Sequence, residues 1–179
     1  MKSVTRSDRI GALVELRRRE APDIPLDGME IFARARELTR LSRHWIEPVF
    51  DRHGLDTGEF DVLATFERAG APYSMRPTEL FRALVMTSGG MTDRLARLTA
   101  KGLVRRTPSA TDRRSLLVEL TEHGLASIRR AYAADMTVEK ELLAAIGAED
   151  RDRLAELLAL LLKSMEARQA SETAGASGE

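Results

Sequence analysis

The sequence contains no cysteine, few aromatic residues and no long hydrophobic run. Aromatic side chains make up 4% of its 179 residues, with a single tryptophan. Without cysteine there is no disulfide framework, thiolate metal site or thiol redox sensor. The longest apolar run, from Leu157 to Leu162, falls well short of the ~20 residues that a membrane span requires. The polar N-terminus shows no signal peptide, so we expect an intracellular, cytoplasmic protein.

Net charge is also absent, but charge is unevenly distributed. Lys plus Arg and Asp plus Glu both number 28, and 43% hydrophobic residues are enough to build a core. Between Arg76 and Arg114, nine basic side chains stand against three acidic ones, whereas the segment from Asp135 to Glu179 has ten acids and five bases. Local phosphate binding requires such a basic block within a neutral protein. A merely solvated face has the same composition, so charge alone leaves both interpretations open.

Hydrophobic periodicity and turn residues predict a mainly α-helical chain with one small β-hairpin. Predicted helices cover about residues 10–20, 29–53, 57–69, 77–84, 87–101, 121–146 and 151–167, and predicted strands cover residues 103–107 and 116–120. Thr57 is the expected N-cap of the third helix, and Thr87 or Ser88 that of the fifth. The polar stretch between the strands is the expected tip of the hairpin.

The order of these elements is that of a winged helix-turn-helix. A short helix, a tight turn around Met86 and a second helix are followed at once by the hairpin, which forms the wing. In such a unit the second helix enters the major groove of DNA with its N-terminal residues, and the wing reaches phosphate or the minor groove. The predicted DNA-binding residues are therefore Thr87, Ser88, Gly89, Thr92, Asp93, Arg97, Arg113 and Arg114.

The remaining helices carry more apolar surface than a winged helix can cover. The long second helix and the leucine-rich last helix predict a homodimer, whose two recognition helices would fit a palindromic operator. We therefore divide the chain by residue number into an N-terminal extension with a short helix (1–28), a helical dimerisation region (29–56 and 121–168), the winged helix-turn-helix (57–120) and a disordered polar tail (169–179).

Three short motifs resemble the MarR (multiple antibiotic resistance regulator) family of transcription regulators. They are Leu103-Val104-Arg105-Arg106, Asp112-Arg113-Arg114 and Leu120-Thr121-Glu122-His123-Gly124. They are similar to the family's first wing strand, wing and following helix start. The resemblance covers about Met29 to Ala167. It implies that Arg114 enters the minor groove and that Asp112 braces it.

A narrower resemblance is to the urate-responsive HucR/PecS/MftR branch of that family. It is carried by Gly58-Glu59-Phe60-Asp61-Val62-Leu63, Pro77-Thr78-Glu79-Leu80 and the segment from Ser88 to Leu95. The resemblance implies a ligand-binding site formed by Asp61, Arg94 and Arg106. Where the branch has a ligand-binding tryptophan on its extra N-terminal helix, this chain has Leu16 or a neighbour, so the resemblance makes Leu16 the fourth ligand-binding residue. The single tryptophan, Trp45, lies on the long helix.

Residue chemistry supports two interpretations of this site. The position of Arg94 next to Leu95 turns it partly toward the core, where an arginine needs a carboxylate, and Asp61 is the natural partner. An anionic ligand that competes for Arg94 and Arg106 would displace Asp61 and turn the recognition helix. The alternative is a structural ion pair that only fixes the helix.

No arrangement typical of an enzyme occurs in the sequence. It lacks a phosphate-binding loop, a dinucleotide fingerprint and a nucleophile elbow, and its three histidines have no ligands at metal spacing. We therefore expect neither catalysis nor a cofactor. The sequence predicts a ligand-responsive DNA-binding regulator, most simply a repressor released by a small anionic or aromatic ligand such as urate. The alternative is a winged-helix protein-interaction module that has lost ligand-controlled DNA binding.

Overall fold

The computed structural model describes residues 8–84, 90–108 and 116–176. The predicted helices and strands follow one another along the chain in the order that the sequence predicts. The helices are α1 (Arg9–Glu20), α2 (Asp27–Arg52), α3 (Thr57–Ala69), α4 (Pro77–Ala83), α5 (Met91–Ala100), α6 (Glu122–Leu142) and α7 (Ala148–Ala176). The strands are β1 (Ser74–Met75), β2 (Val104–Pro108) and β3 (Leu116–Leu120). The mainly helical fold class with a β-hairpin wing is confirmed.

The core forms around α3, which is buried along most of its length. Val62, Leu63 and Phe66 are completely inaccessible to solvent, as the apolar spacing of this helix predicts. Helices α4, α5 and α6 and strands β2 and β3 each contribute to the same cluster. The further buried members from these elements are Leu80, Leu95, Leu98, Val104, Val118, Leu120, Ile128 and Ala131.

Helix α3 begins with a capping box rather than with the predicted Thr57 cap. Asp56 is the N-cap, and its Oδ1 accepts the backbone N–H of Glu59 at 2.8 Å. Glu59 returns the contact, because its Oε2 accepts the backbone N–H of Asp56 at 3.0 Å. The two reciprocal bonds satisfy two donors that the start of a helix otherwise leaves unpaired, and this outweighs a single hydroxyl cap at Thr57.

The predicted hairpin is part of a three-stranded antiparallel sheet with the order β1-β3-β2. Strands β2 and β3 pair from Val104 opposite Leu120 to Pro108 opposite Leu116. Ser74 and Met75, which the sequence assigned to no helix or strand, pair with Glu119 and Val118 as a third strand. A strand of two residues is too short to show an alternating pattern, which explains why the sequence did not indicate it.

Helix α6 is packed closely against the chain that precedes β2. A Cβ atom at Gly124 would overlap the carbonyl group of Leu103. The Thr121 hydroxyl forms two hydrogen bonds beside this contact. It accepts from the backbone N–H of Gly124 at 2.9 Å and donates to the Gly102 carbonyl oxygen at 2.8 Å. These contacts give the Leu120-Thr121-x-x-Gly124 motif a physical role as a docking point between helix and sheet.

The N-terminal extension is fixed to α2 by one apolar side chain and three ion pairs, of which Arg9–Glu37 is the longest at 3.8 Å. Val14 is 2% exposed. Asp8 accepts from Arg34 at 3.0 Å, and Glu30 accepts from Arg18 at 3.3 Å. Helix α2 itself continues through Pro48 as one element. The extra helix that we expected at residues 10–20 is therefore present and packed.

Residues 1–138 and 139–179 form two compact units. The first contains the N-terminal helix, α2 and most of α6 together with the winged helix, so the functional division at residues 29, 57 and 121 stays a prediction. In the second unit, α7 extends from Ala148 to Ala176. The prediction of a disordered tail from residue 169 is wrong up to Ala176. An Arg168–Glu172 ion pair at 3.0 Å, one helical turn apart, stabilises this part of the helix.

None of the described helices combines the length and the apolar character that crossing a bilayer requires.

Candidate nucleic-acid interface and effector site

Helix α5 is the predicted recognition helix, and it is buried on one side only. Leu95 and Leu98 face the core, whereas Thr92 and Asp93 in the first turn are exposed. The helix begins at Met91 rather than at Thr87 or Ser88. Its N-cap is Gly90, whose φ of 79° is the left-handed conformation that glycine adopts without strain. The first turn of α5 thus presents Thr92 and Asp93 to solvent.

Several predicted DNA-binding residues lie outside the described part of the chain. These are Thr87, Ser88, Gly89, Asp112, Arg113 and Arg114. Their roles in the major groove and in the wing stay predictions. Of the predicted contacts on α5, the structure describes Thr92, Asp93 and Arg97.

Arg97 does not project freely from α5 but binds the start of α3. Its Nε donates to Glu59 Oε1 at 3.1 Å, and its Nη2 donates to Asp56 Oδ2 at 2.7 Å. Arg97 lies on the flank of α5. At about 100° per residue, it is turned about 200° from Leu95 but only about 100° from Leu98, the other residue that faces the core. These ion pairs engage two of the three guanidinium nitrogens of Arg97, and its role in DNA binding stays a prediction.

Lys101, one turn after Arg97, binds the same carboxylate. Its Nζ donates to Glu59 Oε2 at 2.6 Å and to the Gly54 carbonyl oxygen at 2.9 Å. Our sequence reasoning overlooked both Glu59 and Lys101. The Asp-x-x-Glu spacing from Asp56 to Glu59 was the available signal, because it is the pattern of a capping box.

Glu59 is ionised although it is 1% exposed. Burial opposes its ionisation, but hydrogen bonds from Lys101, from the backbone of Asp56 and from Arg97 outweigh burial and hold the pKa of Glu59 below its usual value. A buried charge with three donors is the arrangement that makes such burial tolerable.

The predicted effector residues Asp61 and Arg94 lie near each other without forming an ion pair. Neither residue has an ion-pair partner within 4.0 Å among the described residues, and the guanidinium of Arg94 instead lies against the backbone of Gly58. Burial raises the pKa of Asp61, and the charges of Arg94 and Arg68 offset this only in part. The expected direct contact between Asp61 and Arg94 is therefore wrong. Both groups are half-buried, and no charged side chain among the described residues is in contact with either of them.

The other two predicted effector residues lie apart from this pair. Arg106 has an exposed side chain on β2, opposite Val118, and Leu16 on α1 is 58% exposed. Arg94 lines a cavity of about 480 Å³ at the starts of α3 and α5. Its other charged lining residues are Glu47, Asp51, Asp56, Asp93 and Arg97. Asp61, Arg106 and Leu16 do not line this cavity, so this cavity does not bring the four predicted residues together.

Within the described ranges, no group of three or more His, Asp or Glu side chains is arranged to hold a metal ion.

Comparison with known proteins identifies the family. The profile of the MarR family matches residues 53–115. The chain is 32% identical to the HTH-type transcriptional regulator PecS of Dickeya dadantii, over 87% of this chain and 94% of PecS. It is 31% identical to the multiple antibiotic resistance protein MarR of Salmonella typhimurium, over 61% of this chain and 70% of MarR. The chain belongs to the MarR family.

Among solved structures, the fold is similar to that of AbsC, a MarR family transcriptional regulator from Streptomyces coelicolor. The TM-score is 0.67 at 23% identity, and the likeness covers 80% of this chain and 98% of AbsC. The relatives named here are regulators rather than enzymes. This MarR-family chain is thus a transcription regulator with a DNA-binding winged helix-turn-helix. The part matched by the family profile includes both the Glu59 network and α5.

Proposed function

We propose that the chain is a homodimeric repressor that binds a palindromic operator and releases it when a small anionic or aromatic ligand such as urate binds. In this proposal α5 enters the major groove through Thr92 and Asp93, and the hairpin between β2 and β3 contacts the backbone or the minor groove. The proposal places the protein in the cytoplasm, where bacterial DNA is accessible, and assigns it no catalytic activity.

The observation that carries the DNA-binding proposal is the exposure of α5. Its buried side is formed by Leu95 and Leu98, and its first turn is exposed. A helix presented in this way, followed by an antiparallel hairpin, is the geometry that helix-turn-helix proteins use to reach base edges. Nine basic side chains lie between Arg76 and Arg114. Arg97, Lys101 and Arg105 pair with carboxylates, and the other six can supply the positive charge that phosphate contacts need.

Exposed apolar side chains support the proposed dimer in each compact unit separately. On α2, Ile31, Leu38 and Trp45 are more than half exposed. On α7, the large exposed residues are Leu154, Leu157, Leu158, Leu160, Leu162 and Met165. Such surfaces are uncommon on a monomer and are typical of helices that associate. A second copy of the chain is the occupant that a two-fold operator requires.

The ligand proposal is supported by the state of Asp61 and Arg94. Among the described residues, neither the half-buried carboxylate of Asp61 nor the half-buried guanidinium of Arg94 has a charged partner in contact. Both groups can therefore exchange interactions when an anion arrives. An anion would pair with Arg94, and the negative charge of the anion would raise the free energy needed to ionise Asp61 nearby. Resemblance to the urate-responsive branch, supported by the similarity to PecS, suggests urate as the first compound to test.

A gel-shift titration tests the proposal, using the full chain and duplex DNA from the region upstream of its own gene. We expect binding that weakens steeply with salt and is relieved by urate. Binding that ignores urate would reject the ligand and retain the regulator. Absence of duplex binding even at low salt would instead support the protein-interaction alternative.

The wing is tested in the same assay by Arg114→Ala. This variant is expected to weaken operator binding and to leave dimerisation, measured by sedimentation, unchanged. Unchanged DNA affinity would remove the wing from the proposal.

A further inference from the structure

One buried carboxylate connects α5 to the turn that follows α2, and the proposed DNA and effector contacts do not include it. Both oxygens of Glu59 are used: Oε1 accepts from Arg97, and Oε2 accepts from Lys101 and from the backbone of Asp56. Lys101 also binds the Gly54 carbonyl oxygen. The network therefore joins the C-terminal half of α5 to the first residues of α3 and to the turn before them.

We propose that Glu59 is a positioning residue for DNA binding, because it fixes the orientation of α5 by holding Arg97 and Lys101. The inference rests on the proposed function of α5 as the helix that reads DNA. Residues four apart lie on the same face of a helix and about 6 Å apart along its axis. Two contacts with this spacing resist rotation and tilting of α5, whereas one contact would leave α5 able to pivot.

The chemistry of the network favours positioning over stability as its main contribution. Burying a carboxylate is costly, and well-packed apolar side chains in place of a buried ion pair often leave stability unchanged or improved. The apolar contacts of Leu95 and Leu98 already attach α5 to the core. Apolar contacts tolerate small rotations, but hydrogen bonds from two cations to one fixed carboxylate do not.

A different role for the two cations predicts the opposite effect of removing Glu59. If Arg97 and Lys101 contacted DNA phosphate, neutral glutamine at position 59 would release both cations for DNA. Affinity would then rise or stay constant, and its dependence on salt would steepen. If Glu59 positions α5, the same variant binds its specific site more weakly while the salt dependence stays unchanged.

The experiment measures DNA binding by fluorescence anisotropy with the full chain. Two duplexes are used: DNA from upstream of the chain's own gene and a shuffled sequence of the same length and composition. Wild type is measured first, since failure to prefer the upstream duplex would reject the proposed function rather than this inference. All variants are measured at a temperature where circular dichroism shows them to be folded.

For Glu59→Gln we expect about a tenfold or greater loss of affinity for the upstream duplex, the value of one misplaced base contact. Affinity for the shuffled duplex and the salt slope on both duplexes should not change. Arg97→Gln and Lys101→Gln should lower the same specific affinity. The double variant Glu59→Gln with Arg97→Gln should be no worse than the single variants, because all of them break one network.

Glu119→Gln is the matched control. Glu119 forms a bidentate ion pair with Arg105 across the paired strands β2 and β3, at 3.0 and 2.9 Å, and among the described residues no hydrogen bond or ion pair joins it to α5. It should leave both affinities within about twofold of wild type, as expected of an exposed pair. If Glu59→Gln fails to fold, Arg97→Gln and Lys101→Gln complete the test, because both replace side chains that are 40% exposed or more.

Two results would overturn the proposal. One is unchanged or higher affinity of Glu59→Gln for the upstream duplex. The other is an equal loss on both duplexes in Arg97→Gln, accompanied by a salt slope reduced by about one, which is the signature of a lost phosphate contact.

Discussion

Arg94 lies against the backbone of Gly58, so closely that a methyl group at position 58 would overlap its guanidinium. Gly58 is in the first turn of α3 and Arg94 in the first half of α5, so this contact joins the starts of the two helices. It also explains why Arg94 is not paired with Asp61. The guanidinium occupies the space that glycine leaves open, about one turn before Asp61 on the same helix.

Replacing Gly58 with alanine is therefore expected to displace Arg94 without unfolding the protein. A guanidinium is the free end of a flexible side chain and can move aside, while alanine favours a helix over glycine by up to ~1 kcal/mol. The melting temperature should stay constant or rise by a few degrees, about 2–4 °C per kcal/mol. The response of DNA binding to urate, followed in the gel-shift assay, should change.

Arg94→Ala provides the control for that experiment. The double variant Gly58→Ala with Arg94→Ala should respond to urate like Arg94→Ala alone, because the same group has been removed. A wild-type urate response in both single variants would show that the location of Arg94 has no part in ligand sensing.

Gly124→Ala is expected to lower the stability of the protein, whereas the same substitution at Gly58 is expected to preserve or raise it. The added methyl group would overlap the carbonyl group of Leu103, which is backbone and cannot swing aside. Helix α6 would have to move away from the sheet, and overpacking of this kind costs roughly 1–3 kcal/mol. Urea unfolding should show this loss of free energy of unfolding. Equal stability of the Gly58→Ala and Gly124→Ala variants would contradict the distinction between side-chain and backbone contacts.

The sequence predicted the helices and strands that show a repeating apolar pattern. It missed the features that depend on a residue far away in the chain. The apolar spacing around Leu63 was sufficient to locate α3 and its buried face. The two residues of β1 are paired only because β3 lies beside them, which no local pattern reports. Arg97 was assigned to DNA because it lies on the recognition helix, but its orientation depends on Glu59, 38 residues earlier in the chain. Charged residues on a helix indicate a charged surface, not which charges are already neutralised.

The pH dependence of stability tests the state of Asp61. Burial raises its pKa in the folded protein, so the folded state binds this proton more tightly than the unfolded state, whose pKa is about 3.9. The contribution of Asp61 to the free energy of unfolding must therefore fall as pH rises from that value through the raised folded pKa, and the loss persists at neutral pH. Asp61→Asn removes this loss of stability, because asparagine does not ionise. We therefore expect the variant to have a higher melting temperature than wild type at neutral pH.

Thermal melts of both proteins between about pH 3 and pH 7 measure this difference. The melting temperature of the asparagine variant should exceed that of wild type by an amount that grows as pH rises and then becomes constant. A variant that is instead less stable than wild type only at neutral pH would show that Asp61 is ion-paired in the folded protein, as the sequence alone suggested.

The single tryptophan offers a direct test of the proposed dimer. Trp45 is 56% exposed on α2, beside Leu38 and Leu41, and its ring contacts His44 edge to face. If this face of α2 packs against a second copy, dilution through the dissociation range should shift the emission of Trp45 toward the red as water reaches the ring. The shift should follow the loss of dimer measured by sedimentation.

Substitution of Leu41 by glutamate should produce the same red shift without dilution, because a carboxylate buried in an apolar interface costs several kcal/mol. Arg36→Glu, which places the same side chain at an already charged and exposed position of α2, is the control and should not alter the emission. If Leu41→Glu leaves both the dimer and the emission unchanged, the interface excludes the part of α2 around Trp45. The apolar surface of α7 would then be the one that holds the two copies together.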